Sequence, residues 1–459
     1  MVVDSVITGG TLVTADGTVD AGLAIDDGTI VEVGVEEALP DAAERIDASG
    51  RLVLPGVVDP HVHVDDHVSL DTYQTATSAA ALGGVTTFID FAWQGYVGEE
   101  SRWDEPTRLS EGVEEKRSNA DEALIDFGLH GGILSERSEI FDEMSALVDD
   151  GITSFKVYTA YEFGLSNGFI HEVMDAASDL GAVTIGHTEE GDTCERLTET
   201  LKRHERTDPS WYPLARPDYT EATAAETLAR YAREIGAKYY GVHTSCAKSA
   251  DVFERYIEDG SLIRAETCTH YTTLTDDVYE TQGQLPVIAP PLRGERDIDA
   301  LFEALATDTL FVVSTDHVAQ TRESKTAGHW WDGPFGANSV QRSLPVFHDV
   351  AVNERGFSYP FLVRKMCTAP AETFGLENKG TLDPGTDADI VLFDPDESWT
   401  ISAETNASRA DYSIYEGREI TGRVTRTLVR GETVAEGGSI VGDPGHGEFV
   451  ARSRPNWSV

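Results

Sequence analysis

The chain is poor in lysine. Its 459 residues hold 35 Lys and Arg together, only eight of them lysine, against 81 Asp and Glu. The formal net charge is −46. A surface of that sign repels nucleic-acid phosphates and anionic membranes, so neither is expected as a partner. Four cysteines, Cys194, Cys246, Cys268 and Cys367, form no CxxC pair. That argues against a disulfide framework and suits a reducing cytoplasm. No apolar run approaches the ~18–20 residues of a membrane-spanning helix. The opening "MVVDSVITGGTLVT" lacks the basic stretch and apolar core of a secretory leader.

What is present reads as globular. Hydrophobic residues make up 40%, with Gly and Pro spread throughout, enough for a large core and one or two domains. The acids recur in short groups such as "VEEALPDAAE" rather than in one tail. A dispersed acidic surface with scarce lysine has the look of a protein from a high-salt cytoplasm, where salt screens self-repulsion.

The first ~50 residues carry short strand patterns broken by Gly and Asp turns, and the texture returns in "ADIVLFDPD", "WTISAE" and "RVTRTLVRGETVAEGG". Between them, eight apolar runs alternate with helix-like segments: "GVVDPHVHV", "GVTTFIDF", "ALIDFGLHG", "GITSFKVYT", "GAVTIGHT", "AKYYGVHTS", "SLIRAETCT" and "TLFVVSTDH". Eight such units predict an α/β fold, a (β/α)8 barrel of the TIM type over residues 55–374. Residues 1–54 and 375–459 are expected to join as a small β-sandwich domain.

Chemistry in such a barrel gathers at the C-terminal ends of the strands. The first run ends in His61-Val-His63, whose spacing of two puts both imidazoles on one strand face. The fifth ends in His187, the sixth in His243 and the eighth in Asp316. The fourth contains Lys156, flanked by Phe155 and Val157, while the other lysines fall mostly in polar contexts. Taken alone, Lys156 could be a solvated edge residue. Buried, it would have a lowered pKa. Four neutral imidazoles and one carboxylate cannot neutralise two divalent ions. A lysine amine that takes up carbon dioxide becomes a carbamate, a bidentate anion able to bridge them.

"LPGVVDPHVH", "SFKVYTAY", "GHTEEGD", "VHTSC", "AETCTHYTTLTDDVY", "APPLR", "VVSTDH", "KGTLDPGTDADIVLFDPD" and "DYSIYEGREITGRV" together resemble the cyclic amidohydrolases of the amidohydrolase superfamily. The likeness is greatest to the dihydropyrimidinase/hydantoinase branch and runs from about residue 1 to 452. It implies hydrolysis of a cyclic amide at two divalent ions, zinc by analogy. His61, His63 and Asp316 would hold one, His187 and His243 the other, and carboxylated Lys156 would bridge. Asp316 would also carry the proton. Tyr161 matches the tyrosine that stabilises the oxyanion, although it could equally be a core aromatic. Asn338 and Ala289 match positions that bind the ring through their backbone, although Gly-Ala-Asn-Ser is also good turn chemistry.

Allantoinase and dihydroorotase share this scaffold, as do interaction proteins that have lost metal ligands. Retention of all six ligand positions argues against the last. Dihydroorotases usually carry an arginine just after the HxH pair, where this chain has Val64-Asp65-Asp66-His67. Relatives are often tetramers or dimers, and the tail "GDPGHGEFVARSRPNWSV" could pack on a neighbouring copy. The charge pattern generates one expectation that does not depend on the reaction. The melting temperature should fall as salt is withdrawn from molar to dilute, because screening of the acidic surface is lost. A melting temperature independent of salt would contradict it.

Overall fold

A computed structural model describes residues 2–97, 100–101 and 107–457. Its centre is a parallel sheet of eight strands, β1 (Val57–Val62), β2 (Val85–Trp93), β3 (Asp126–Gly132), β4 (Ser154–Tyr158), β5 (Val183–His187), β6 (Lys238–Gly241), β7 (Ile263–Cys268) and β8 (Val312–Ser314). Each pairs with the next in chain order. Six of the eight lie within the runs named from sequence, and β2 and β3 overrun theirs by two residues and one. Most of their residues are buried, as expected for strands covered by the barrel interior on one face and by helices on the other.

The sheet closes into a barrel at β1 and β8. Val62 forms a parallel bridge with His317, and His63 N donates to His317 O at 2.8 Å. Asp59 reinforces this seam. Its Oδ2 accepts from Thr315 Oγ1 at 2.6 Å, across 256 residues of chain. Burial pushes the Asp59 carboxyl up to about 7.

Helices cover the outside. Asn167–Asp179 shows why they form. Ser166 caps the first turn by accepting from Phe169 N, and Phe169, Ile170, Val173, Met174 and Ala177 fall on one buried face.

The terminal segments build two further sheets. One orders Thr29–Gly34, Gly22–Asp26, Val3–Thr8 and Ala42–Asp47. The other mixes both chain ends: Ile390–Thr400 pairs with Leu52–Pro55, which pairs with Thr11–Val13. Ile7, Leu23 and Ile46 of the first sheet pack against Val53, Ile390 and Leu428 of the second, giving a sandwich core.

The C-terminal tail lies along its own barrel. Phe127 N donates to Glu448 O at 2.9 Å and Val450 N to Phe127 O at 2.8 Å, at the start of β3 and so on the N-terminal face. Arg452 reaches Ser154 Oγ at 2.9 Å, and Trp457 Nε1 donates to Thr373 O at 3.0 Å. The stretch that could pack on a neighbouring copy makes these contacts within its own chain.

The lysines correct an expectation. Lys116, Lys156, Lys325, Lys365 and Lys379 are all buried, so most of the few lysines are interior. Oxygen answers four of them. Lys116 meets Asp90 at 2.8 Å, and Lys365 meets Asp308 at 2.7 Å. Lys379 gathers Asp126, Asp387 and Asp389 at 2.6–2.9 Å, tying β3 to the C-terminal segment. Lys325 is held by carbonyls. Lys156 is the exception.

One glycine carries the tail's seat. Gly375 ends the helix Ala369–Phe374 at φ 73, and a Cβ there would lie 2.1 Å from Ser453 O. Gly375→Ala should destabilise the chain by more than about 1 kcal/mol. It should also speed tryptic cleavage after Arg452, the bond after Arg454 being protected by Pro455. Unchanged cleavage and an unchanged denaturation midpoint would show that the tail does not depend on this contact.

Candidate metal centre

Five strand ends converge at the C-terminal mouth of the barrel. His61 is fully buried, with Nε2 3.1 Å from Asp316 Oδ1 and 3.0 Å from Lys156 Nζ. His63 Nε2 lies 3.5 Å from the same Asp316 oxygen. One ligand atom from each of His61, His63 and Asp316 falls within 4.8 Å of the others. Opposite them, His187 turns Nδ1 to within 2.8 Å of His243 Nε2. The His61 and His243 rings stand 5.5 Å apart, so the two groups form one cluster.

Lys156 sits at its centre on β4. Its amine touches His61 Nε2 and lies 4.1 Å from the Phe91 ring centre. Among the described residues it has no carboxylate or carbonyl partner. Burial lowers its pKa to about 8. Burial also lowers His187 and takes His243 well below the usual imidazole range, so both rings offer lone pairs. Burial alone would raise Asp316, but His61, His63 and His243 beside it hold its carboxyl well below the ordinary value. Imidazole nitrogens, a carboxylate and an amine facing one space make a donor set suited to divalent cations with borderline-soft chemistry.

The backbone is unusual where it delivers these groups. His243 and Asp316 take φ values of 39° and 46°, and Tyr161 takes 71°. Non-glycine residues rarely adopt this region, and such strain persists only where surrounding structure enforces it.

Carboxylates behind the histidines orient them. Glu266 on β7 meets His61 Nδ1 at 2.6 Å, accepts from His243 N at 3.1 Å and from Tyr240 OH at 2.7 Å. Glu189 Oε2 meets His187 Nε2 at 3.1 Å and is paired with Arg216. Asp66 lies 3.6 Å from His63 Nδ1 and 3.9 Å from Lys116. Such partners fix which nitrogen faces outward. None of the three was named as a site residue from sequence. Glu266 left a weaker signal than Lys156, an acid within a barrel run that also carries Arg264. Glu189 and Asp66 stand in loops where an acid is unremarkable.

The cluster opens into a cavity of about 570 Å³. Lys156, His187, His243, Asp316, Tyr161 and Ala289 all line it. Trp93, Leu134 and Phe163 give it an apolar side. The Tyr161 ring stands 4.9 Å from that of His187, and burial pushes its phenol above the ordinary range, so it keeps its proton. Asn338 is not among the lining residues. Its Nδ2 donates to Tyr412 O at 2.9 Å, while Gly336, two residues earlier, does face the cavity. Beyond the HxH pair, His67 and Val68 line the wall, and Asp65 and Asp66 do not. Among the described lining residues there is no arginine to hold a substrate carboxylate.

A family model described as the amidohydrolase family matches residues 52–434. The chain is 35% identical over 466 residues to the D-hydantoinase of Ralstonia pickettii, covering 98% of this chain and 99% of that one. It is 36% identical over 470 residues to the D-hydantoinase of Rhizobium radiobacter, with 98% and 99% covered. The crystal structure of the dihydropyrimidinase from Brevibacillus agri superposes with a TM-score of 0.94 at 32% identity, over 99% of this chain and 100% of that one. The chain therefore belongs to the amidohydrolase family.

The Arg216–Glu189 pair can be tested apart from any reaction. Arg216→Met leaves the buried Glu189 carboxylate without its cation, with the His187 ring still beside it, and should cost about 3 kcal/mol. Adding Glu189→Gln should recover much of that loss in denaturant unfolding. An unchanged midpoint in the single variant would show that the pair contributes nothing.

Proposed function

We propose that the chain hydrolyses a cyclic amide, opening a dihydropyrimidine or hydantoin ring to an N-carbamoyl amino acid. The observation that carries this is Lys156, a buried amine at the centre of four imidazoles and one carboxylate, answered by no oxygen among the described residues. The relatives named D-hydantoinase and dihydropyrimidinase support the choice of ring.

His61, His63 and Asp316 would hold one divalent cation, His187 and His243 a second, and N6-carboxylated Lys156 would supply an anionic ligand to both. Zinc suits this set of nitrogen and oxygen donors. Bound there, such a pair lowers the pKa of a shared water toward neutral and polarises a carbonyl oxygen. The chain supplies the rest. Tyr161 keeps its phenolic proton and donates to the oxygen that gains charge when the ring carbonyl becomes tetrahedral. Asp316, at the cavity surface, accepts the proton of the attacking water and returns it to the ring nitrogen that leaves. Ala289, in the cavity wall, offers backbone to the ring amide. We place Asn338 in the same role through its backbone, since its side chain is engaged with Tyr412.

We read residues 1–54 with 375–459 as one domain and residues 55–374 as the catalytic one. Of these ranges, residues 1, 98–99, 102–106 and 458–459 lie outside the described residues. The acidic, lysine-poor surface supports a high-salt cytoplasm, and the likeness to relatives supports a homo-oligomer, a tetramer or dimer. Among the described residues no helix is long and apolar enough to cross a membrane.

One assay across hydantoin, dihydrouracil, allantoin, dihydroorotate and an N-acyl amino acid tests the reading. Hydantoin or dihydrouracil should be opened fastest. Failure to open any cyclic diamide would defeat it. Lys156→Ala should lose both bound metal and turnover, with partial return of each on adding a short carboxylic acid. Full metal content and turnover in that variant would remove the bridge assignment.

A further inference from the structure

We propose that Lys325 is a positioning residue, whose amine fastens two segments of the cavity wall, residues 287–289 and 334–336, to one short helix. The helix, Arg322–Thr326, is capped by Thr321, which accepts from Ser324 N. Lys325 is buried at 1% exposure. Its Nζ donates to Val287 O at 2.6 Å, Pro334 O at 2.9 Å and Gly336 O at 2.9 Å. Three N–H groups meet three carbonyls, and among the described residues no carboxylate pairs with the charge.

The carbonyls come from the segments that shape the site. Ala289 lines the cavity from one, and Pro334, Phe335 and Gly336 line it from the other. The segments also touch directly, Gly336 N donating to Val287 O at 3.2 Å. Val287 O thus serves both the amide and the amine. Gly336 has φ 124, and a Cβ there would come within 2.5 Å of the Val318 side chain, so its main chain sits close against the strand-eight loop. Ala289, Pro334, Phe335 and Gly336 carry no polar side chain, so any polar group this wall offers is main chain. Its shape then depends on what holds the main chain, and the ammonium is the group common to both segments. Burial pulls the Lys325 amine down to about 7, and the three carbonyl acceptors favour retention of its third proton.

The proposal rests on the ring-binding reading of this cavity, so its test has an arm that needs no substrate. Lys325→Met in the full, metal-loaded chain removes all three donors at similar volume. Backbone amide exchange should accelerate at least tenfold in residues 284–290 and 333–338, with the barrel strands unchanged. On whichever cyclic diamide the parent opens, KM should rise at least tenfold, while kcat stays within threefold and metal content is unchanged. Lys325→Gln, which keeps two donors, should fall between parent and Met variant. It is also the variant to read if the Met variant does not fold. In the parent chain the two segments, pinned by one amine, should open at the same rate. Unaltered exchange in a folded variant, clearly different opening rates in the parent, or a loss confined to kcat and metal content would each overturn the assignment. If the parent opens no cyclic diamide, the ring reading fails and the exchange result still decides the role of Lys325.

Discussion

A buried ammonium has to be answered, and the way this chain answers five of them organises the molecule. Carboxylates meet Lys116, Lys365 and Lys379, and carbonyls meet Lys325. Lys379 joins the barrel to the C-terminal segment, and Lys325 holds the cavity wall. Lys156 alone is surrounded by imidazole and aromatic rings. An amine left in that state gives up its proton readily, and a neutral amine is a nucleophile. Its position is set by β4, whose neighbours β3 and β5 bracket it in the sheet. The barrel thus fixes an amine where carboxylation would turn an unfavourable charge into a ligand of opposite sign.

The charge economy of the whole chain makes the same point from outside. With a net charge of −46, a surface lysine would find acids everywhere. Yet three of the eight lysines stay outside the core and five lie within it. Arginine takes over many of the surface pairs, as in Arg230–Glu226 and Arg255–Glu226. The compact ammonium is kept where a single point charge must fit among several oxygens.

Much of the barrel was legible because parallel strands covered on both faces leave unmistakable apolar runs, five of them carrying a charged or imidazole residue where the sheet meets the cavity. The six clustered residues were legible for the same reason: His61, His63, Lys156, His187, His243 and Asp316 all interrupt or end such runs. What lay hidden is what depends on pairing across the fold. Nothing local in Leu52–Pro55 announces that it lies between strands from opposite ends of the chain. Glu189 and Asp66 look like loop acids until His187 and His63 are placed beside them. The tail looked unattached because its partners, Phe127, Gly151 and Gly375, are scattered through the sequence. Lys325 hid in a polar helix, its three carbonyl acceptors invisible to any side-chain pattern.

The seam between β1 and β8 governs timing as well as shape. Asp59 and Thr315, which suture it, stand 256 residues apart, and such distant contacts close slowly because so much chain must first be ordered. His61 and His63 lie on one lip of the seam and Asp316 on the other. A chain emerging from the ribosome therefore carries its histidines long before the carboxylate that completes the cluster arrives. Until the last barrel strand docks, no partly made molecule can gather the full set of donors. Closing the seam completes the barrel and the donor cluster in a single event.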